Sequence, residues 1–194
     1  MFGIMKYVEI PEIFNSTATG KPFTTCADCD RDLIGNDLDY FIEKVVKHFP
    51  EYETNDIILE YAICLECHQK IRLSLSEKSI ARVENYFSEN VDIYKRMRAL
   101  TGSETLDIKN WISHCMIKDI PKTELREYEI VGHFKGDRMT LSYLPGIISL
   151  QSMEEISELL SKKTKDELDG YMDRFTDIPP EFRELFTPRP AFVL

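Results

Sequence analysis

Two pairs of cysteines at C-x-x-C spacing, Cys26-Ala-Asp-Cys29 and Cys64-Leu-Glu-Cys67, constrain this chain more than any other feature. Two intervening residues let the backbone curl until both sulfurs face one point, and two such pairs supply the four ligands of a closed tetrahedral zinc site. The whole chain has only five cysteines, so two spaced pairs are not a by-product of abundance. Thirty-four residues separate the pairs, more than the roughly 15–20 of the shortest double-knuckle pattern. The insert must therefore fold out and return. Asp39 to Val46 is rich in aromatic and β-branched residues, Pro50 to Asp56 is polar, and Ile57 to Ile63 is a second strand candidate that ends at Cys64. Two strands and a polar reversal make a hairpin that brings the second pair back to the first. After Cys67, Ile71, Leu75, Val83, Tyr86 and Phe87 recur at helical spacing, with a break or cap near Ser76 to Ser79.

A knuckle, a hairpin and a second C-x-x-C at the start of a helix together resemble the treble-clef class of zinc fingers. The resemblance covers roughly residues 22–90 and is one of architecture. It implies one structural Zn2+ per chain on Cys26, Cys29, Cys64 and Cys67. Many zinc knuckles carry Gly after the second cysteine, whereas Asp30 and His68 stand there in this chain. That departure weighs more against a rubredoxin-like iron site than against zinc. His68 could substitute as a ligand, but four thiols already complete the shell.

The chain also resembles itself. A shift of 85 positions aligns residues 61–87 with 146–172 without a gap and gives seven identities, among them Ser76 with Ser161 and Tyr86 with Tyr171. Opposite Cys64 and Cys67 stand Ser149 and Ser152. With a small gap, Cys115-Met-Ile-Lys118 lies opposite the first knuckle. Glu127 to Phe134 and Arg138 to Leu144 are strand-like around the turn Lys135-Gly136-Asp137, and a helix should follow from about Ser152 with Glu155 at its capping-box position. Cys115, Lys118, Ser149 and Ser152 could not hold zinc tetrahedrally. The alternative is that any two hairpin-plus-helix segments share apolar spacing; the common Ser, Lys and Tyr positions argue for duplication. Between the units, Val91 to Leu100 can continue the first helix. Ile108, Trp111, Ile112, Cys115 and Met116 also fit one helix face, which competes with a knuckle at Cys115.

Other chemistry is poorly supported. Asp28, Asp30, Asp32 and Asp39 match acidic positions of a calcium loop, yet Leu33 stands where that loop needs Gly. His114 and Cys115 invite a base-and-nucleophile reading, but catalytic partners are neighbours in space rather than in sequence. No phosphate-binding loop, dinucleotide fingerprint, zincin motif or nucleophile elbow occurs. The net charge of −10 disfavours nucleic acid and anionic lipid. The basic residues between 66 and 100 are interleaved with acids. No apolar run approaches the roughly 18 residues that span a bilayer, and the first 15 residues lack the pattern of a signal peptide. A reducing cytoplasm is expected, where paired cysteines point to metal or redox chemistry.

The fold expected is α+β: an N-terminal extension (1–21), a zinc-bound treble-clef-like unit (22–100), a degenerate second unit (101–177) and a proline-rich apolar tail (178–194) carrying Phe182, Leu185 and Phe186. The function expected is that of a non-enzymatic zinc-binding adaptor or regulatory protein whose partner is another protein. The alternatives are a thiol-disulfide or electron-transfer protein using the C-x-x-C pairs, and nucleic-acid binding through the helix after Cys67.

Overall fold

The hairpin expected between the cysteine pairs becomes one side of a larger sheet. In the computed structural model, which describes residues 6–52, 54–102 and 107–172, six strands form one antiparallel sheet. They are β1 (Lys6–Glu9), β2 (Asp39–Phe49), β3 (Thr54–Cys64), β4 (Glu127–Lys135), β5 (Arg138–Leu141) and β6 (Gly146–Ser149). Their order is β1-β5-β4-β2-β3, with β6 also paired to β4. Six helices accompany them: α1 (Leu65–Ser74), α2 (Glu77–Asn90), α3 (Ile93–Gly102), the short α4 (Ile108–Trp111), α5 (Leu150–Leu159) and α6 (Lys162–Met172). The architecture is mixed α+β.

Strand alternation sends β2 side chains to two different environments. Tyr40 stacks on Phe134 with ring centroids 5.3 Å apart, and Phe14 meets Phe134 edge-on at 5.0 Å. That face is covered by the N-terminal segment. On the other face Phe41 packs against His68 of α1, with ring centroids 4.9 Å apart. Buried residues from both halves of the chain, including Ile42, Ile63, Val83, Ile130, Ile147, Ile156 and Leu168, join one continuous core.

The centre of the sheet is a seam between β2 and β4, and its register is symmetric. Tyr40 pairs with Phe134 and Val46 with Tyr128; Glu43, halfway along, pairs with Val131. Residues 39–47 of β2 have their counterparts 88 positions later in β4, so an axis through the Glu43–Val131 pair exchanges the two strands. The helices obey the same exchange, because α1 packs on α6 and α2 packs on α5. Where they meet, the backbone N–H of Ser76 donates to Thr164 Oγ1 at 3.1 Å, and the N–H of Ser161 donates to Ser79 Oγ at 2.9 Å. Ser76 and Ser161 touch across the axis, Oγ to Oγ, at 3.2 Å.

Local structure departs from the sequence expectations in four places. The strand from Arg138 ends at Leu141, and a separate β6 follows at Gly146–Ser149. Helix α5 starts earlier than Ser152: Ser149 is its N-cap and accepts from the N–H of Ser152, so Glu155 is freed for another contact. The first helix does not run on to Leu100, because α2 ends at a Val91 cap in extended conformation and α3 begins anew. Finally, α4 is a single turn that stops at Trp111, which leaves Cys115 outside it. The tail from 178, with Phe182, Leu185 and Phe186, lies outside the described residues.

Candidate metal centre

The first cysteine pair sits on a tight loop. The N–H of Cys26 donates to Arg31 O at 2.9 Å, and the N–H of Asp30 returns to Cys26 O at 3.0 Å. Asp30 makes this possible with φ 57, a left-handed conformation that Asp tolerates better than most residues. The N–H of Ala27 donates to Ala62 O at 2.8 Å and pins the loop to the edge of β3. The second pair straddles the start of α1: Cys64 is its N-cap, and Cys67 lies in the first turn. Strand end, helix start and loop thus bring the four cysteines to one spot.

Their sulfur atoms all lie within 4.8 Å of one another. Cys29 Sγ and Cys64 Sγ are 3.9 Å apart, close to the roughly 3.8 Å edge of a tetrahedron with zinc–sulfur bonds of about 2.3 Å. The surroundings suit thiolates. The N–H of Cys64 donates to Cys26 Sγ at 3.4 Å, and the N-terminus of α1 contributes its positive end. Arg31 reaches over the cluster, donating from Nε to Cys29 Sγ and from Nη2 to Cys64 Sγ, each at 3.1 Å. Its remaining terminal nitrogen pairs with Glu66 at 2.8 Å, and Lys70 pairs with the other Glu66 oxygen at 2.8 Å.

The thiols differ in acidity. Burial pushes Cys26 and Cys67 up. Burial also acts to raise Cys29, but the hydrogen bonds of Arg31 outweigh it and bring this thiol down to about 6. The donor set therefore fits a soft divalent ion: four sulfurs, backbone donors and one guanidinium. With all four positions taken by protein, such a site leaves no open coordination position for chemistry.

His68, the other residue considered as a ligand, is buried against Phe41 and takes no part in the sulfur cluster. Burial, with Arg72 nearby, holds its imidazole down at about 4, in the neutral form. The acidic calcium-loop positions do not converge. Asp32 caps the N–H groups of Ile34 and Gly35, and Asp39 pairs with His133 and Lys135. His114 is exposed and meets Ser113 Oγ at 2.9 Å, whereas Cys115 is buried. Arg31 is the residue that the sequence reading missed. The missed signal was electrostatic: four thiolates need a counter-charge, and a cation two residues after the second knuckle cysteine is well placed to supply it.

A second loop repeats the backbone of the first. The N–H of Cys115 donates to Ile120 O at 2.8 Å, that of Asp119 to Cys115 O at 2.8 Å, and that of Met116 to Ile147 O at 2.8 Å. Asp119 has φ 56. The N–H of Ser149 donates to Cys115 Sγ at 3.3 Å, as Cys64 does to Cys26. Here the sulfur faces hydroxyls instead of thiols: Ser149 Oγ at 3.5 Å and Ser152 Oγ at 3.6 Å, themselves 3.0 Å apart. Lys118, opposite Cys29, turns away to Glu155 at 2.6 Å, and Tyr86 donates to the same carboxylate at 2.6 Å. Cys115 thus lies in a loop beyond α4 and not on its helix face.

Comparison with known proteins gives no relative: no protein-family model, curated protein or solved structure matches this chain. Among the described residues, no helix is long and apolar enough to cross a membrane.

Proposed function

We propose that Cys26, Cys29, Cys64 and Cys67 hold one structural zinc ion, and that the chain is a non-enzymatic cytoplasmic adaptor or regulatory protein that recognises another protein. The observation that carries the metal is the convergence of four sulfurs on a point already supplied with backbone and guanidinium donors. A four-thiolate shell favours zinc over harder cations, and ligation of this kind stabilises a small module by about 10 kcal/mol or more. We read the chain as two tandem treble-clef-like units fused along the β2–β4 seam, the second having exchanged its metal for hydroxyls. The matching loop hydrogen bonds support that reading. Recognition of protein rather than nucleic acid is favoured because Lys70 and Arg72 are engaged with carboxylates and Arg96 with backbone carbonyls and the Trp111 ring.

Elemental analysis of protein purified without chelator tests the metal. The expected result is one zinc per chain, with Cys64→Ser losing both the metal and the soluble fold. An unchanged melting curve and unchanged zinc content in that variant would sink the proposal. A folded, metal-free wild type that cycles between dithiol and disulfide would transfer the four cysteines to redox chemistry.

A further inference from the structure

Four thiolates around one divalent ion leave a net charge of −2, partly buried beside the core. Cys26, Cys64 and Cys67 are buried and Cys29 is half-exposed. Placing such charge away from water is costly unless fixed donors and a counter-charge meet it. Arg31 is in position to do this, with one guanidinium spanning Cys29 and Cys64 at 3.1 Å each. A planar fork meets two acceptors with donors fixed in one plane, where an ammonium offers a compact point charge on a flexible stem. The fork is itself fixed: Glu66 holds its third nitrogen, and Lys70 holds Glu66.

The second loop serves as an internal control. It keeps the backbone hydrogen bonds of the first, so equivalent positions can be read directly. Opposite Arg31 stands Ile120, whose carbonyl accepts from Cys115 as that of Arg31 accepts from Cys26. Opposite Glu66 and Lys70 stand Gln151 and Glu155. Where only Cys115 remains of the four thiols, the guanidinium is replaced by an isoleucine, and a Lys118–Glu155 pair stands in place of the Arg31–Glu66–Lys70 chain. A surface ion pair with no bearing on the sulfurs would have no reason to follow them.

We infer that Arg31 is a positioning residue for the metal centre: it clamps Cys29 and Cys64, offsets part of the thiolate charge and slows both loss of the ion and electrophilic attack on the sulfurs. This rests on the zinc reading above. It assigns the accessible edge of the site, at Cys29, to the control of one side chain.

The test loads wild type, Arg31→Met and Arg31→Gln with one equivalent of zinc and follows zinc transfer to a chromogenic chelator. Iodoacetamide alkylation of the loaded proteins is measured in parallel. Zinc transfer is expected to quicken about tenfold or more in both neutral variants, in the range of outer-shell substitutions at metal sites. Alkylation at Cys29 is expected to rise with it, because a thiolate stripped of its donors is the better nucleophile. Arg31→Lys should fall between, and Glu66→Gln should move in the same direction by less. Two neutral variants are used so that poor solubility of one leaves the comparison intact. Loaded variants with wild-type transfer and alkylation rates overturn this inference alone; a wild type that takes up no zinc overturns the metal reading with it.

Discussion

At the scale of single residues, the least ordinary feature away from the cysteines is an acid pair. Glu43 on β2 and Glu129 on β4 are each about as buried as the core, at 2% exposure. Burial pushes both carboxyls above their ordinary values, and one hydrogen bond between them adds to the rise at Glu129 while easing it at Glu43. The Tyr61 hydroxyl donates to Glu43. Such a pair keeps a proton that the unfolded chain would release above about pH 4.3. The folded state then binds more protons than the unfolded one, so the stabilising contribution is complete below that value and is lost as pH rises toward the raised folded values. The pair's own contribution should therefore decline as pH rises above about 4.3, by at most about 1.4 kcal/mol per unit for one retained proton. Urea unfolding across that rise checks this by difference, because the cysteines titrate in the opposite sense: the stability of wild type relative to Glu129→Gln should fall with rising pH. A difference that stays constant or grows with pH would rule out the shared proton.

At the scale of elements, the two loop–hairpin–helix segments differ in how much of them the sequence disclosed. The cysteine spacing placed the first loop, the strands on either side of Pro50–Asp56 and the helix after Cys64, because ligand geometry and β-branched runs are local signals. The break at Ser76 was also legible, as an N-cap whose side chain accepts from the N–H of Ser79. The second segment was blurred. Its strand is split by Ser142–Pro145, which no periodicity marks, and its α5 cap was placed three residues late because Ser149 and Ser152 are equally good caps by composition. At Cys115, helical spacing of apolar residues competed with the loop; pairing with β6 decided the matter, and pairing partners cannot be read from a local window. Arg31 was invisible for the same reason, since its role depends on which sulfurs surround it. An experiment follows from the retained backbone. Lys118→Cys, Ser149→Cys and Ser152→Cys together should create a second four-thiol site, giving two zinc ions per chain. One zinc in the soluble triple variant would show that the second loop cannot close around an ion.

At the scale of the molecule, one sheet and one core run through both halves, with β2 and β4 joined along their length. Elements that share a core unfold together. Calorimetry of the zinc-loaded protein should show a single transition, and metal removal should shift that whole transition downward. Two resolved transitions, only one of them zinc-sensitive, would show that the halves are thermally independent. The seam also bears on ancestry. Two identical chains related by a two-fold axis must place the same residue on both sides of that axis, so position 43 would have faced itself. In this chain Glu43 faces Val131. A dimer of identical subunits has no means of making such a pair unequal, whereas two halves of one polypeptide are free to differ across it, as Glu43 and Val131 do.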